Sequence, residues 1–268
     1  MRSRLSFPRP RLFTLLLLSA VSLLVGADRS VATPLDSVQQ LIFSIAPTWD
    51  SSSGRLQLFE RDGGDWKAVG QPWAVLYGKN GLAWGRGVLG TEEPGTHKTE
   101  RDKRAPAGVF RIGTIYTYDA SLPEGADFRF HTVSPADAWV DDPTSPDYNR
   151  HVTIPDPAHP PAWFEKQKMR HNDFAYRWLV EIRHNSDPPQ PGAGSAIFFH
   201  IRRGTERPSA GCTVMAEPNL VQLVRWLRVD RQPHYALLPK AEYLKKWKAW
   251  GLPSPKEASA LVGEKPEG

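Results

Sequence analysis

Gly194-Ser-Ala-Ile-Phe-Phe-His-Ile-Arg-Arg-Gly-Thr-Glu-Arg-Pro-Ser-Ala-Gly-Cys-Thr-Val-Met215 is the stretch from which the rest of the chain can be read. Ser195 to Ile201 has the pattern of a strand, with Ile197, Phe199 and Ile201 on one face and Ala196, Phe198 and His200 on the other. A loop then returns through Ser209-Ala210-Gly211 to Cys212, so an imidazole near a strand end and a thiol 12 residues later can be folded together. A free thiol with a pKa of about 8.5 is only a few per cent thiolate at neutral pH. A neighbouring imidazole can take its proton, and the couple is then an acyl-transfer nucleophile. Gly211 lets the backbone turn closely, so N–H groups around Gly211 and Cys212 can face a developing oxyanion, each such donor being worth about 3 kcal/mol. The imidazole's second nitrogen needs a holder, and a backbone carbonyl and a carboxylate are both open at this stage.

Working outward, Leu56 to Arg61 and Trp66 to Val69 flank Asp62-Gly63-Gly64-Asp65 and read as a hairpin. Ala74 to Tyr77, Gly87 to Leu89, Val109 to Ile112 and Trp178 to Arg183 are expected as further strands. One clear helix is expected from Pro218, which suits a first helical position, with Leu220, Leu223, Val224 and Leu227 on the face that packs on the sheet. Long Pro- and Asp-rich loops run from Pro94 to Pro106 and from Ser134 to Pro161, where binding surfaces are commonly built. The fold class is therefore mainly β with a few helices (α+β), a mixed sheet forming a sandwich or barrel.

The whole chain has 268 residues, with 21 Gly and 25 Pro, which suits one domain rich in turns and excludes a long-helix bundle or a multi-pass membrane protein. Arg2, Arg4, Arg9 and Arg11 precede the apolar run Leu12 to Ala27, the plan of a secretory signal peptide over residues 1–27. Its removal leaves 30 Lys+Arg against 29 Asp+Glu, so the basic charge belongs mostly to targeting, and neither a nucleic-acid partner nor a stable membrane span is expected. Export makes Cys212 notable, because a lone cysteine cannot staple its own fold. Residues 28–53 read as a weakly patterned lead-in, 54–250 as the domain, and 251–268 as a polar, frayed tail.

The segment around Cys212 resembles the catalytic core of the YkuD-type L,D-transpeptidases: a strand-borne His (His200), a loop, then Ser or Thr (Ser209), any residue, Gly (Gly211) and Cys (Cys212). The likeness extends to Lys103-Arg104-Ala105-Pro106-Ala107-Gly108-Val109-Phe110, similar to the family's Pro-x-Gly-x-Phe lead into a core strand. It also takes in Val140-Asp141-Asp142-Pro143 with Tyr148-Asn149, and Met169-Arg170-His171-Asn172-Asp173 with His184-Asn185, which look like an exported subgroup. Ala210 and Val214 stand where many members carry His or Arg, and Arg or Asn. The resemblance implies a YkuD-like catalytic domain, exported to the periplasm or cell wall, acting on peptidoglycan stem peptides without metal or organic cofactor. In it Cys212 attacks the third stem residue and expels D-Ala, His200 moves the protons, Gly211 and Ser209 orient, and Arg170, Arg202, Arg203 or Arg207 meets the substrate's carboxylates.

Three other readings remain beside it. Water in place of the amine acceptor makes an L,D-carboxypeptidase or amidase at the same site. A zinc hydrolase would draw on His131, His151 and His159 with Asp141 or Asp142, although no short paired ligand motif is present. A non-enzymatic wall-binding protein would use the ten Trp as a glycan surface, with the Cys-His pair vestigial.

Overall fold

The computed structural model describes residues 32–263; the signal-peptide reading falls on residues 1–27, outside the described residues. Runs of apolar, β-branched and aromatic residues give twelve strands: β1 (Gln40–Ala46), β2 (Ser53–Glu60), β3 (Lys67–Leu76), β4 (Leu82–Trp84), β5 (Ala105–Thr117), β6 (Phe130–Thr132), β7 (Asp137–Trp139), β8 (His151–Thr153), β9 (Trp178–Ile182), β10 (Phe198–Ile201), β11 (Thr213–Met215) and β12 (His234–Pro239). The helices are α1 (Phe164–Gln167), α2 (Glu217–Trp226), α3 (Lys240–Trp250) and α4 (Ser259–Val262), with a 3₁₀ turn at Phe174–Tyr176. Among the described residues no helix is long and apolar enough to cross a membrane.

The strands follow the path β12-β1-β2-β3-β11-β10-β9-β5, and β5 pairs back onto β12, closing a mixed barrel. β5 is the hinge of this closure. Its first residues pair in parallel with β4, Gly108 to Arg111 pair with β12, and Ile112 to Thr117 pair with β9 while Ile115 to Thr117 also take β6. The short strands β7 and β8 form a separate hairpin inside the Ser134 to Pro161 loop.

The expected hairpin is β2 and β3. β3 also absorbs the run from Ala74, expected as a strand of its own: it bends at Gly70, where φ is +66°, opposite a bulge in β2 between Leu56 and Leu58, instead of ending there. Gly87 to Leu89 is no strand; it lies along β5 with only a bridge from Leu89 to Val109. The helix expected from Pro218 is α2, with Leu220, Leu223 and Val224 buried.

Two expectations at the ends of the domain are corrected. The lead-in contains β1, every residue of which is buried, held by β2 on one edge and β12 on the other. Phe43 on one face packs on Phe59 and on Tyr243 of α3, while Ser44 on the other bonds Tyr77 Oη at 2.6 Å inside the barrel. Over residues 251–263 the tail is equally tied down: Leu252, Ala258, Leu261 and Val262 are core residues, because α3 and α4 cap the outer face of β1 and its neighbours. Replacing Phe43 by Ala should therefore cost about 3–5 kcal/mol, read as a lowered urea midpoint; an unchanged midpoint would show that β1 adds nothing to the core.

Candidate active site

β10 and β11 run side by side in parallel, with Phe199 opposite Thr213, His200 opposite Val214 and Ile201 opposite Met215. Phe199, Ile201 and Met215 belong to the main core, and Thr213 Oγ1 bonds Tyr235 Oη at 2.9 Å on that side. The two-residue period of a strand then puts Phe198, His200, Cys212 and Val214 together on the opposite face. There Phe198 and Cys212 pack with Tyr116, Val133, Trp139, Met169 and Leu179. His200 in β10 and Cys212, the residue just before β11, thus fall on a shared face.

The turn that presents Cys212 is built by Ser209. Its Oγ accepts from the Gly211 N–H at 3.0 Å and donates to the Cys212 carbonyl at 2.6 Å. This is the hydroxyl-to-own-backbone arrangement of a Ser turn. It corrects the oxyanion expectation for Gly211, whose N–H is spent on Ser209; the Cys212 N–H has no hydrogen-bond partner among the described residues. Gly211 itself is required by shape. Its φ is +148°, and a Cβ there would stand 3.0 Å from the Arg104 carbonyl and 3.3 Å from Ile197 Cδ1.

The sulfur is framed by the approach to β10. Cys212 Sγ donates to the Ala196 carbonyl at 3.5 Å rather than to His200, and the Phe198 N–H points at the sulfur. Ala196 sits at φ +54°, so the strand expected from Ser195 starts only at Phe198. Asn149 holds it there: its Oδ1 accepts from the Ala196 N–H and from Trp139 Nε1, both at 3.0 Å, and its Nδ2 donates to the carbonyls of His184 and Asn185 at 2.9 and 2.8 Å. The Tyr148-Asn149 and His184-Asn185 pairs noted in the sequence therefore form the support behind the thiol.

Burial pushes the Cys212 thiol up to about 11, against the opposing pull of the Phe198 N–H and the positive charges of Lys98 and Arg203. Lys98 is a site residue that sequence reasoning missed. It is buried, its Nζ lies 2.5 Å from Asp102 Oδ1, and its Cε stands 3.7 Å from the place a Gly211 Cβ would occupy. Its only sequence signal is a Lys-x-x-x-Asp spacing within the Pro94 to Pro106 loop, which does not distinguish it from a surface pair.

His200 is buried, and its Nδ1 is 2.9 Å from the carbonyl of Ile201. A carbonyl only accepts, so Nδ1 carries the proton and Nε2 keeps its lone pair. The holder of the imidazole is thus a backbone carbonyl. Burial holds its pKa down to about 4, and the nearby Arg203 guanidinium pushes the same way. Arg203 is itself anchored, with Nε 3.0 Å from Asp173 Oδ2 and its guanidinium over the Tyr176 ring, which also meets His200 edge-on.

A small recess joins His200 and Ser209 to Arg203 and Arg207, the latter exposed at its rim; Arg202 lies outside it. Arg170 is used elsewhere, donating to the Val133 carbonyl at 2.8 Å and lying over Tyr118. A larger cleft of about 710 Å³, lined by Arg86, Arg111, Arg183, Asp187 and Trp250, shares none of these residues.

Of the zinc-hydrolase set, His131 and His151 do meet, but on Asp137; His159 pairs with Asp156 at the surface. Of the ten Trp, six (Trp66, Trp73, Trp84, Trp139, Trp178 and Trp250) are buried, Trp49, Trp226 and Trp247 are half-buried, and Trp163 is exposed. The family model for the YkuD L,D-transpeptidase catalytic domain matches residues 48–235, more than two thirds of the chain. No curated protein and no solved structure gives a significant match.

With the thiol raised and the imidazole lowered, the resting pair is neutral on both members. Alkylation of Cys212 by iodoacetamide should then be slow at pH 7 and climb continuously towards pH 10. A rate already at its plateau by pH 6–7 would reveal a preformed thiolate and contradict this reading.

Proposed function

The chain belongs to the YkuD family of L,D-transpeptidase catalytic domains, and from that membership we propose an exported cysteine acyltransferase that cross-links or trims peptidoglycan stem peptides. What supports the residue assignment is that strand alternation puts His200 of β10 and Cys212, the residue just before β11, on one face, with His200 Nδ1 bonded to a carbonyl and Nε2 free to act as the base.

In this mechanism Cys212 Sγ attacks the carbonyl carbon of the third stem residue while Nε2 of His200 takes the thiol proton. The unspent Cys212 N–H meets the oxyanion. The tetrahedral intermediate collapses by breaking the bond to D-Ala, whose amine leaves with the proton from His200, and a thioester remains on Cys212. An amine from a second stem then attacks the thioester as His200 takes its proton, and the thiol is restored. The low proton affinity of His200 suits the donating step, and it keeps the base form available down to about pH 4. Arg203, fixed by Asp173 beside the imidazole, and Arg207 at the rim are the cations placed to meet a stem-peptide carboxylate. Water in place of the second amine gives the carboxypeptidase outcome.

The test is mass spectrometry of the purified protein incubated with a disaccharide-tetrapeptide, with and without an amine acceptor. Loss of D-Ala together with a joined product is expected, abolished in Cys212→Ala that retains its circular dichroism, and slowed roughly 10²- to 10⁴-fold in His200→Gln. Tripeptide without joined product would make the enzyme a carboxypeptidase, and turnover surviving in Cys212→Ala would refute the mechanism.

A further inference from the structure

Tyr116 separates the Cys212 face from a second group of chemistry-bearing side chains. Its ring lies 6.4 Å from that of Phe198 on one side and 5.9 and 5.1 Å from the imidazoles of His131 and His151 on the other. His131 belongs to β6, His151 to β8 and Asp137 to β7, so three short strands converge on one point. His131 Nε2 is 3.0 Å from Asp137 Oδ2, His151 Nε2 is 2.8 Å from Asp137 Oδ1, and one ligand atom from each residue lies within 4.8 Å of the others.

We propose that His131, Asp137 and His151 form a binding site for a divalent transition-metal ion of the zinc type, which clamps the β7–β8 hairpin to β6 at the edge of the barrel. The ligand set is two imidazoles and one carboxylate, which suits zinc and its first-row neighbours and does not suit Mg²⁺ or Ca²⁺, which take oxygen cages. Bound ions hold such ligands at about 2.0–2.2 Å, placing tetrahedral ligand atoms a little over 3 Å apart. The present nitrogen-to-oxygen separations are close to that, so loading needs only a small opening of the cluster.

The second shell is already in place. Asp137 is wholly buried, and besides the imidazoles it accepts from the Ser134 N–H at 2.6 Å and from Thr153 Oγ1 at 2.7 Å. These two bonds survive metal binding and hold the carboxylate in its present orientation, as outer donors do in metal sites. Access is open from the histidine side, where 38% of the His131 side chain and 21% of that of His151 face solvent. The exchange balances without an added reactant. The ion takes the Nε2 lone pairs, each neutral imidazole carries its proton on Nδ1 instead, and water fills the remaining position.

The experiment uses the mature protein stripped with EDTA and dialysed, titrated with Zn²⁺ by calorimetry and with Co²⁺ by visible absorption. One equivalent should bind, raise the melting temperature, and do so unchanged in Cys212→Ala and in His159→Ala. His131→Gln keeps a donor to Asp137 at the most exposed position and so preserves the fold; it and His151→Ala should each weaken binding by roughly 10-fold or more. No uptake by the parent protein, uptake undiminished in His131→Gln, or uptake lost in Cys212→Ala or His159→Ala would each overturn the site. Because the readout is metal uptake, the result stands apart from whether Cys212 performs acyl transfer.

Discussion

Closure of the barrel through β5 is the constraint on which the other features rest. A strand has two edges, and along its 13 residues this one satisfies them with four different partners in succession. The pairing of β5 with β9 sets where β10 lies, and β10 in turn sets β11, so the strand that carries His200 and the one that follows Cys212 inherit their places from the adjoining ladder. Closure also leaves β1 and β12 paired on both edges, with every residue of each strand buried.

The same scaffold concentrates unusual backbone at the thiol. Ala196 and Asn149 both hold positive φ, a conformation costing about 1–3 kcal/mol for a residue with a side chain. Asn149 makes it tolerable by filling all its polar positions with neighbours from three separate segments. What results is a sulfur bordered by oriented main-chain groups, with a buried Lys98 and an anchored Arg203 supplying positive potential. The charges act where thiolate has to form, and burial opposes them.

How much of this was legible from the residues follows from where each signal originates. The β2–β3 hairpin and α2 announce themselves because turn glycines and one-sided apolar spacing are local. The face of His200 was readable because strand alternation fixes it, and the return through Ser209-Ala210-Gly211 pointed to Cys212 coming back near it. β1, by contrast, carries Leu41-Ile42-Phe43 and Ile45-Ala46 in nearly continuous sequence, and burial on both faces removes the alternation that marks a strand. The apolar residues of the tail are few and separated by charge; only α3 and the barrel wall give them a common destination. The inward turn of the Gly211 N–H, the choice of Ile201's carbonyl to hold His200, and the approach of Lys98 are all directions in space, and no spacing encodes them. His131 and His151 were visible as possible partners, but Asp137 was not, because the hairpin that delivers it lies inside a stretch that reads as loop.

The protonated, half-covered state of Cys212 has a further bearing on how long the molecule lasts. Peroxides and disulfides react with thiolate, and the path to sulfenic and then irreversible sulfinic acid begins only once that anion exists. A thiol whose pKa is raised by its walls, with no second cysteine in the chain to capture it, enters that path slowly. The burial that raises the thiol's pKa therefore also slows its oxidation.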